Sequence, residues 1–179
     1  MSPKLGERLS LGVVCPFGLL TVTFRLFEPT AKLGEAVSAP LRMLPVVKSV
    51  HFHSDELAVE TTGANLLKVL QFLRDHTMYQ ARQLVDNVAV DEPKNALRFR
   101  VKYLLLSHDL CSRYSVTVRT DEVVPLPSTT GLFVGADWLE REVFDLMGIS
   151  FTGHQDLRRI LTDSGFQGHP LRKDFQIAT

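Results

Sequence analysis

Residues 46–53 and 56–61 are two β-branched stretches separated by Ser54 and Asp55, residue types that favour turns. Leu57 and Val59 alternate with Ala58 and Glu60, which predicts a hairpin with one apolar face. The spacing then changes. Leu66, Leu67, Val69, Leu70 and Leu73 recur at helical intervals, Lys68, Gln71, Arg74 and Asp75 lie mostly opposite, and Thr62 is placed to cap the helix start. Residues 84–90 return to strand character and close in Asp91-Glu92-Pro93-Lys94-Asn95, a turn by its chemistry. The alternation is clearest over 97–106, with Leu97, Phe99, Val101, Tyr103 and Leu105 on one face and Arg98, Arg100 and Lys102 on the other. From Tyr103 to Leu106 both faces are apolar, which predicts cover on two sides. Residues 113–119 repeat the pattern with Tyr114, Val116 and Val118 inward, and the polar stretch 107–112 makes the last two strands an antiparallel hairpin. Helices laid on one face of a mainly antiparallel sheet define the α+β class.

Residues 120–135 are rich in Pro, Thr and Gly and read as a connection with one short helical turn. A charged helix follows. Asp137 is suited to the N-cap, Glu140 stands three residues later in capping-box spacing, Leu139, Val143, Leu146 and Met147 form the apolar stripe, and Gly148 supplies the stop. Beyond it Gly153, Gly165, Gly168 and Pro170 forbid long regular elements, and the apolar residues are scattered singly. Such a tail is expected to order only against a neighbouring surface. The chain thus divides into an N-terminal extension or arm (1–45), an α+β domain (46–134), and a helix with a partner-docking tail (135–179). In the arm, Lys4 and Arg8 precede the apolar run 9–24, which Gly12, Pro16 and Gly18 interrupt. It falls short of the roughly 20 apolar residues of a membrane-spanning helix. It suits an arm packed on a neighbour, a remnant of organelle targeting, or a segment packed on its own domain.

Composition narrows the function. The 179 residues are 45% apolar and 22% charged, as in a folded domain. Twenty basic and twenty acidic residues cancel, so no global field draws the chain to nucleic acid or anionic lipid. Cys15 and Cys111 are far apart and lack ligand spacing, reading as reduced structural thiols that cannot supply a four-thiolate cluster. There is no Walker A loop, dinucleotide fingerprint, nucleophile elbow or zinc-finger spacing. His51 and His53 share a strand face without a third ligand, and the glycines between His154 and His169 do not make a preformed cage. No catalytic, cofactor-binding or metal-binding residue is assigned.

What remains is a dense set of charges after residue 136. Arg141 lies four residues after Asp137 and four before Asp145, placed to bridge both. Arg158-Arg159 and Arg172-Lys173, interleaved with aspartates, suit salt bridges to a partner. The candidate docking residues are Trp138, Glu140, Arg141, Glu142, Asp145, Asp156, Arg158, Arg159, Arg172, Lys173 and Asp174. Arg98, Arg100, Lys102, Arg113 and Arg119 would share one sheet face, a solvated or partner-facing surface in preference to an RNA platform, since aromatics for base stacking are not interleaved.

Longer wording carries a resemblance. Phe72-Leu-Arg-Asp-His76, Leu84-Val-Asp86, Ala89-Val-Asp91, Val101-Lys-Tyr-Leu-Leu-Leu-Ser107, Ala136-Asp-Trp-Leu-Glu-Arg-Glu-Val-Phe-Asp-Leu-Met-Gly148, Asp156-Leu-Arg-Arg-Ile-Leu-Thr-Asp163 and Gly165-Phe-Gln-Gly-His-Pro-Leu-Arg-Lys-Asp-Phe175 occur in that order. Together they resemble the 30 kDa subunit family of respiratory complex I, the proton-pumping NADH:ubiquinone oxidoreductase. Gln155 stands where that family usually has proline, and Gln176 follows Phe175 where proline is common. The resemblance implies a core subunit of the hydrophilic arm that carries no cofactor and is held chiefly against the quinone-module subunit of the 49 kDa type. FMN and iron–sulfur clusters would reside in other subunits, with no nucleic acid bound and no membrane span. It also implies residence on the matrix side of the mitochondrial inner membrane, or on the cytoplasmic face of a bacterial plasma membrane. A homologous subunit of a membrane-bound hydrogenase or photosynthetic NDH complex, and a free-standing RNA-binding module, are the alternatives.

Overall fold

A computed structural model describes residues 38–53 and 56–176. Most of the expected arm, with Cys15, lies outside the described residues. The stretch 38–42 is helical and sends Leu41 fully into the core.

Strands β1 (Val47–His53) and β2 (Glu56–Thr61) form the expected antiparallel hairpin. A single 3-10 turn, Gly63–Asn65, leads into α1, Leu66–Asp75. Thr62 stands at the head of that turn, its hydroxyl accepting from Asn65 Nδ2 at 3.1 Å without closing a cap on a backbone N–H. Strands β3 (Gln83–Asp91), β4 (Phe99–Ser107) and β5 (Ser112–Thr120) follow as an antiparallel meander. The connection to the second helix contains a two-residue strand, β6 (Leu126–Pro127), which the hydrophobic pattern does not predict. It pairs in parallel with β7 (Phe151–Thr152), so helix α2 (Ala136–Met147) is bracketed by the pair.

The main sheet runs β1-β2-β5-β4-β3. Its one parallel contact joins β2 to β5, inserting the β1–β2 hairpin beside the last strand of the meander. The period-two alternation buries Leu57, Val59, Phe99, Val101, Tyr103, Leu105, Tyr114, Val116 and Val118 on one face. Leu66, Val69, Leu70 and Leu73 of α1 close over them, each fully buried leucine being worth roughly 1.5–3 kcal/mol. Helix α2 packs on the same face over β3.

The other face is a lattice of ion pairs. Arg100 meets Glu92 at 2.7 Å, Lys102 meets Glu56 at 2.8 Å, and Arg119 reaches Glu92 at 2.9 Å and Glu60 at 3.4 Å. The expected basic surface is therefore largely neutralised by carboxylates of the same sheet. Leu104 and Leu106 are half-buried, short of the cover on two sides that their apolar character suggested. Arg98 departs from the basic face because β4 begins one residue later, which frees it to turn toward the end of β3.

Candidate partner-docking site

Helix α2 carries three charged groups where its apolar stripe meets the core: Glu140 and Asp145 are fully buried and Arg141 nearly so. Burying charge is costly unless each group is met by hydrogen bonds. Two of the three are met in full by loop and tail.

Glu140 does not form the capping box expected with Asp137. The helix begins two residues earlier, with Gly135 at the cap and Asp137 in the first turn, so the carboxylate of Glu140 turns inward. Its Oε1 accepts from the backbone N–H and hydroxyl of Thr129, both at 2.6 Å, and its Oε2 from Ser128 Oγ at 2.7 Å. It pins the connection between β6 and α2. His154 lies beside it with a buried ring whose Nδ1 accepts from the Asp156 N–H at 3.1 Å. The ring proton therefore sits on Nε2, 3.1 Å from Asp137 Oδ1.

Asp145 holds the tail. Its Oδ2 accepts from the backbone N–H groups of Ile160, Leu161 and Thr162 at 3.2, 2.8 and 2.9 Å. Its Oδ1 accepts from Thr162 Oγ1 at 2.6 Å and, more weakly, from Arg159 Nη1 at 3.4 Å. Burial pushes the Asp145 carboxyl up, and these donors outweigh it, holding the group down at about 2.

The carbonyl end of α2 is capped from the tail as well. The last carbonyls of a helix have no partner inside it. Here Leu171 N–H donates to Leu146 O at 3.1 Å and Arg172 Nε to Met147 O at 2.7 Å, and His169 Nδ1 lies 2.8 Å from Asp145 O. Gly148, at φ 76°, is required both by the left-handed turn and by space, since a Cβ there would come within 2.5 Å of Arg172 and His169.

A second tether lies at the end of β3. Arg98 forks onto Asp91 through Nε and Nη2, both at 2.7 Å, and meets Asp174 at 2.7 Å and Glu122 at 2.9 Å. Lys173 N–H also donates to Asp91 at 2.8 Å. The Arg98 fork holds the Asp91 carboxyl down at about 2 despite near-complete burial. Arg98 and Arg172 both lie 5.3 Å from the centre of the Phe99 ring, and Arg172 pairs with Glu122 at 3.2 Å.

These contacts correct the expectation that the tail needs a foreign surface: it is fastened to its own domain at residues 159–162, 169 and 171–174. Of the expected docking residues, Glu140, Asp145, Arg159, Arg172 and Asp174 spend their charges inside the chain. Asp156 and Arg158 pair with each other at 2.9 Å on the surface. Arg141 bridges neither Asp137 nor Asp145. Its Nε donates to Arg158 O at 3.2 Å and its guanidinium lies over Trp138, 4.9 Å from the ring centre. Trp138, Glu142 and Lys173 face outward, Trp138 with 63% of its surface exposed. Asp91, Arg98, Glu122, Thr129 and Thr162 were missed as site residues. An acid and a base facing each other across the 91–98 turn was the one signal that could have found the first two.

Among the described residues no group of three or more His, Cys, Asp or Glu side chains is arranged to hold a metal ion. Cys111 is a free, exposed thiol. No helix of the described residues is long and apolar enough to cross a membrane.

Residues 59–179 match the family model for the respiratory-chain NADH dehydrogenase, 30 Kd subunit. The chain is 55% identical over 120 residues to an NADH-quinone oxidoreductase subunit of Rhizobium etli (strain CIAT 652), a match covering 67% of this chain and 60% of that protein. It is 45% identical over 138 residues to NADH-ubiquinone oxidoreductase subunit 9 of Reclinomonas americana, covering 76% of this chain and 68% of the relative. Among solved structures, a trypsin-resistant fragment of Nqo5 superposes with a TM-score of 0.55 at 27% identity, over 70% of this chain and 97% of the fragment. A chain of a membrane-bound sulfane sulfur reductase, an archaeal respiratory membrane complex, shares the fold with a TM-score of 0.69 at 23% identity, over 82% of this chain and 86% of its own. The Rhizobium match thus takes in about three-fifths of that relative's length. With the matched model reaching over both tethers and the capped helix between them, this chain belongs to the family of the 30 Kd subunit of respiratory-chain NADH dehydrogenase.

Proposed function

We propose that this chain is a scaffold subunit in the hydrophilic arm of an NADH:quinone oxidoreductase, without a cofactor of its own. Electrons would pass from NADH to quinone through neighbouring subunits, and this chain would hold the quinone-module subunit of the 49 kDa type in place. The observation that carries the docking role is Trp138. It is a large aromatic ring left 63% exposed on a rigid helix, stacked against Arg141, and no carboxylate among the described residues lies within ion-pair distance of that guanidinium. Exposed Trp beside Arg is the composition of binding hot spots, where truncation costs about 2 kcal/mol or more. The names of the relatives agree with the assignment. A peripheral place at the mitochondrial inner membrane, matrix side, or at the cytoplasmic face of a bacterial membrane, fits the same reading.

Trp138→Ala tests it. The free chain is expected to keep its melting temperature, because most of the Trp138 surface is exposed. Incorporation into a complex containing flavin- and NADH-binding subunits is expected to fall. Full incorporation of the variant would refute the docking role, and copurification with hydrogenase subunits in place of NADH-binding ones would favour that alternative.

A further inference from the structure

We propose that Arg141 receives a carboxylate from a neighbouring subunit, an Asp or Glu side chain that enters beside Trp138 and closes the open edge of the guanidinium. The proposal rests on the docking reading above, and it gives that contact its chemistry and its direction: the cation is here and the anion comes from the partner.

Every half-buried arginine among the described residues meets a carboxylate of this chain. Arg74 pairs with Asp75, Arg98 with Asp91, Arg100 and Arg119 with Glu92, Arg159 with Asp145, and Arg172 with Glu122. Arg141 is more deeply buried than any of these, with 7% of its surface exposed, and it meets none. Its Nε–H is spent on Arg158 O at 3.2 Å, and Trp138 covers one face of the guanidinium at 4.9 Å. Nη1 and Nη2 have no partner among the described residues, yet neither is sealed from solvent, so their N–H groups remain open at the surface. A cation so poorly hydrated and without a counter-charge is unfavourable. A planar carboxylate taking two parallel N–H bonds is the complement of that edge.

The acids of its own helix are committed elsewhere. Asp137, four residues before Arg141, is turned to His154, and Asp145, four residues after it, is taken up by the backbone of the tail. The surroundings narrow the occupant further. Trp138 is exposed, and Val134, in the turn that enters α2, is exposed almost completely, so an apolar flank accompanies the incoming acid. Asp137 and Asp156, both partly exposed, stand on the same side of the chain as Trp138 and Arg158. They disfavour a run of nucleic-acid phosphates or an anionic lipid surface, whereas a single carboxylate on the Nη edge meets its counter-charge directly.

The test lets full-length variants compete with the wild-type chain for assembly into the complex, the two being told apart by mass spectrometry. Arg141→Met keeps an unbranched stem against Trp138 and removes the charge. Its share of the assembled complex is expected to fall roughly thirtyfold or more, as when one side of a desolvated charge pair is truncated. Arg141→Lys keeps the charge without the planar fork and is expected to fall less. In the free chain Arg141→Met is expected to keep or raise the melting temperature, because it deletes a buried charge that has no counter-ion. On the Arg141→Lys fraction that assembles, a carbodiimide is expected to join the new amine to an Asp or Glu of another subunit. A link only within this chain, a link to a second copy, or no link overturns the proposal. A marked loss of melting temperature in free Arg141→Met also overturns it, since Arg141 would then serve to hold Arg158. Arg141→Met assembling like the wild type while Trp138→Ala is excluded overturns the carboxylate contact alone. Both variants assembling like the wild type, or a wild type that enters no complex with NADH- and flavin-binding subunits, overturns the docking reading with it.

Discussion

Replacing Asp145 by Asn removes the tail's main hold while changing the side-chain shape little. The asparagine keeps one carbonyl oxygen, but its NH2 cannot accept, so the amides of Ile160, Leu161 and Thr162 and the hydroxyl of Thr162 cannot all be met. The magnitude follows from the carboxyl itself. Held at about 2 in place of 3.8, at 1.36 kcal/mol per pH unit, the ionised form gains on the order of 2 kcal/mol from the fold. The group is fully buried, so little of this is screened by solvent. If the tail opens as a local unit, ~2 kcal/mol corresponds to roughly 30-fold less protection of those three amides against hydrogen exchange. Amides of Val101 and Val116, in the middle of the sheet, are expected to keep theirs. The wild type is expected to show the same release in acid. Its folded carboxyl titrates below the unfolded one, so the stabilisation is complete above about pH 4 and lost as pH falls toward 2. Exchange at residues 160–162 that is equally fast in wild type and variant, or that accelerates together with the sheet, would refute the account.

Arg98→Ala is expected to cost about 3 kcal/mol in thermal unfolding, because it leaves the Asp91 carboxylate buried and unmatched, and to raise the Asp91 pKa from about 2 in an NMR titration; an unmoved Asp91 would mean that Lys173 alone holds it. Gly148→Ala is expected to destabilise by at least the ~1–2 kcal/mol of a left-handed residue, with added loss from displacing Arg172 and His169; a change under about 0.5 kcal/mol, well short of that ~1–2 kcal/mol range, would show that the tail yields freely. Tyr103→Phe removes a buried hydroxyl that has no partner and is expected to be neutral or stabilising in the same assay, a drop above about 1 kcal/mol counting against it.

The sheet was legible because its strands obey a period of two wherever one face is buried. Tyr103 and Val116, paired across β4 and β5, were placed inward on pattern alone. The neighbour of β2 was not legible. Alternation says which side chains are buried, but not that β2 lies in parallel beside β5. Glu140 misled because capping-box spacing fits Asp137, whereas the helix starts at Ala136 and carries Glu140 around to the core side. The tail misled for a different reason. Its counter-groups to Asp145 are peptide N–H groups, which every non-proline residue possesses and no sequence pattern marks. The charges that suggested a partner were real, but Arg98, Asp91 and Glu122 supply the answering groups from within the chain.

The caps at the carbonyl end of α2 come from residues 169–172, and the backbone donor to Asp91 is Lys173. In biosynthesis these are among the later parts of the chain to emerge, while β1 through β5 can pair as soon as Thr120 is free. The nascent domain therefore passes through a stage in which the sheet is complete but Asp145 and Asp91 still lack backbone donors. That intermediate is expected to be sound in its core and loose around α2, vulnerable to proteolysis after residue 152 until translation delivers the closing segment. Stalled ribosome complexes probed with protease at successive lengths would show resistance arriving in a single step near residue 173, and resistance already complete at residue 153 would contradict it.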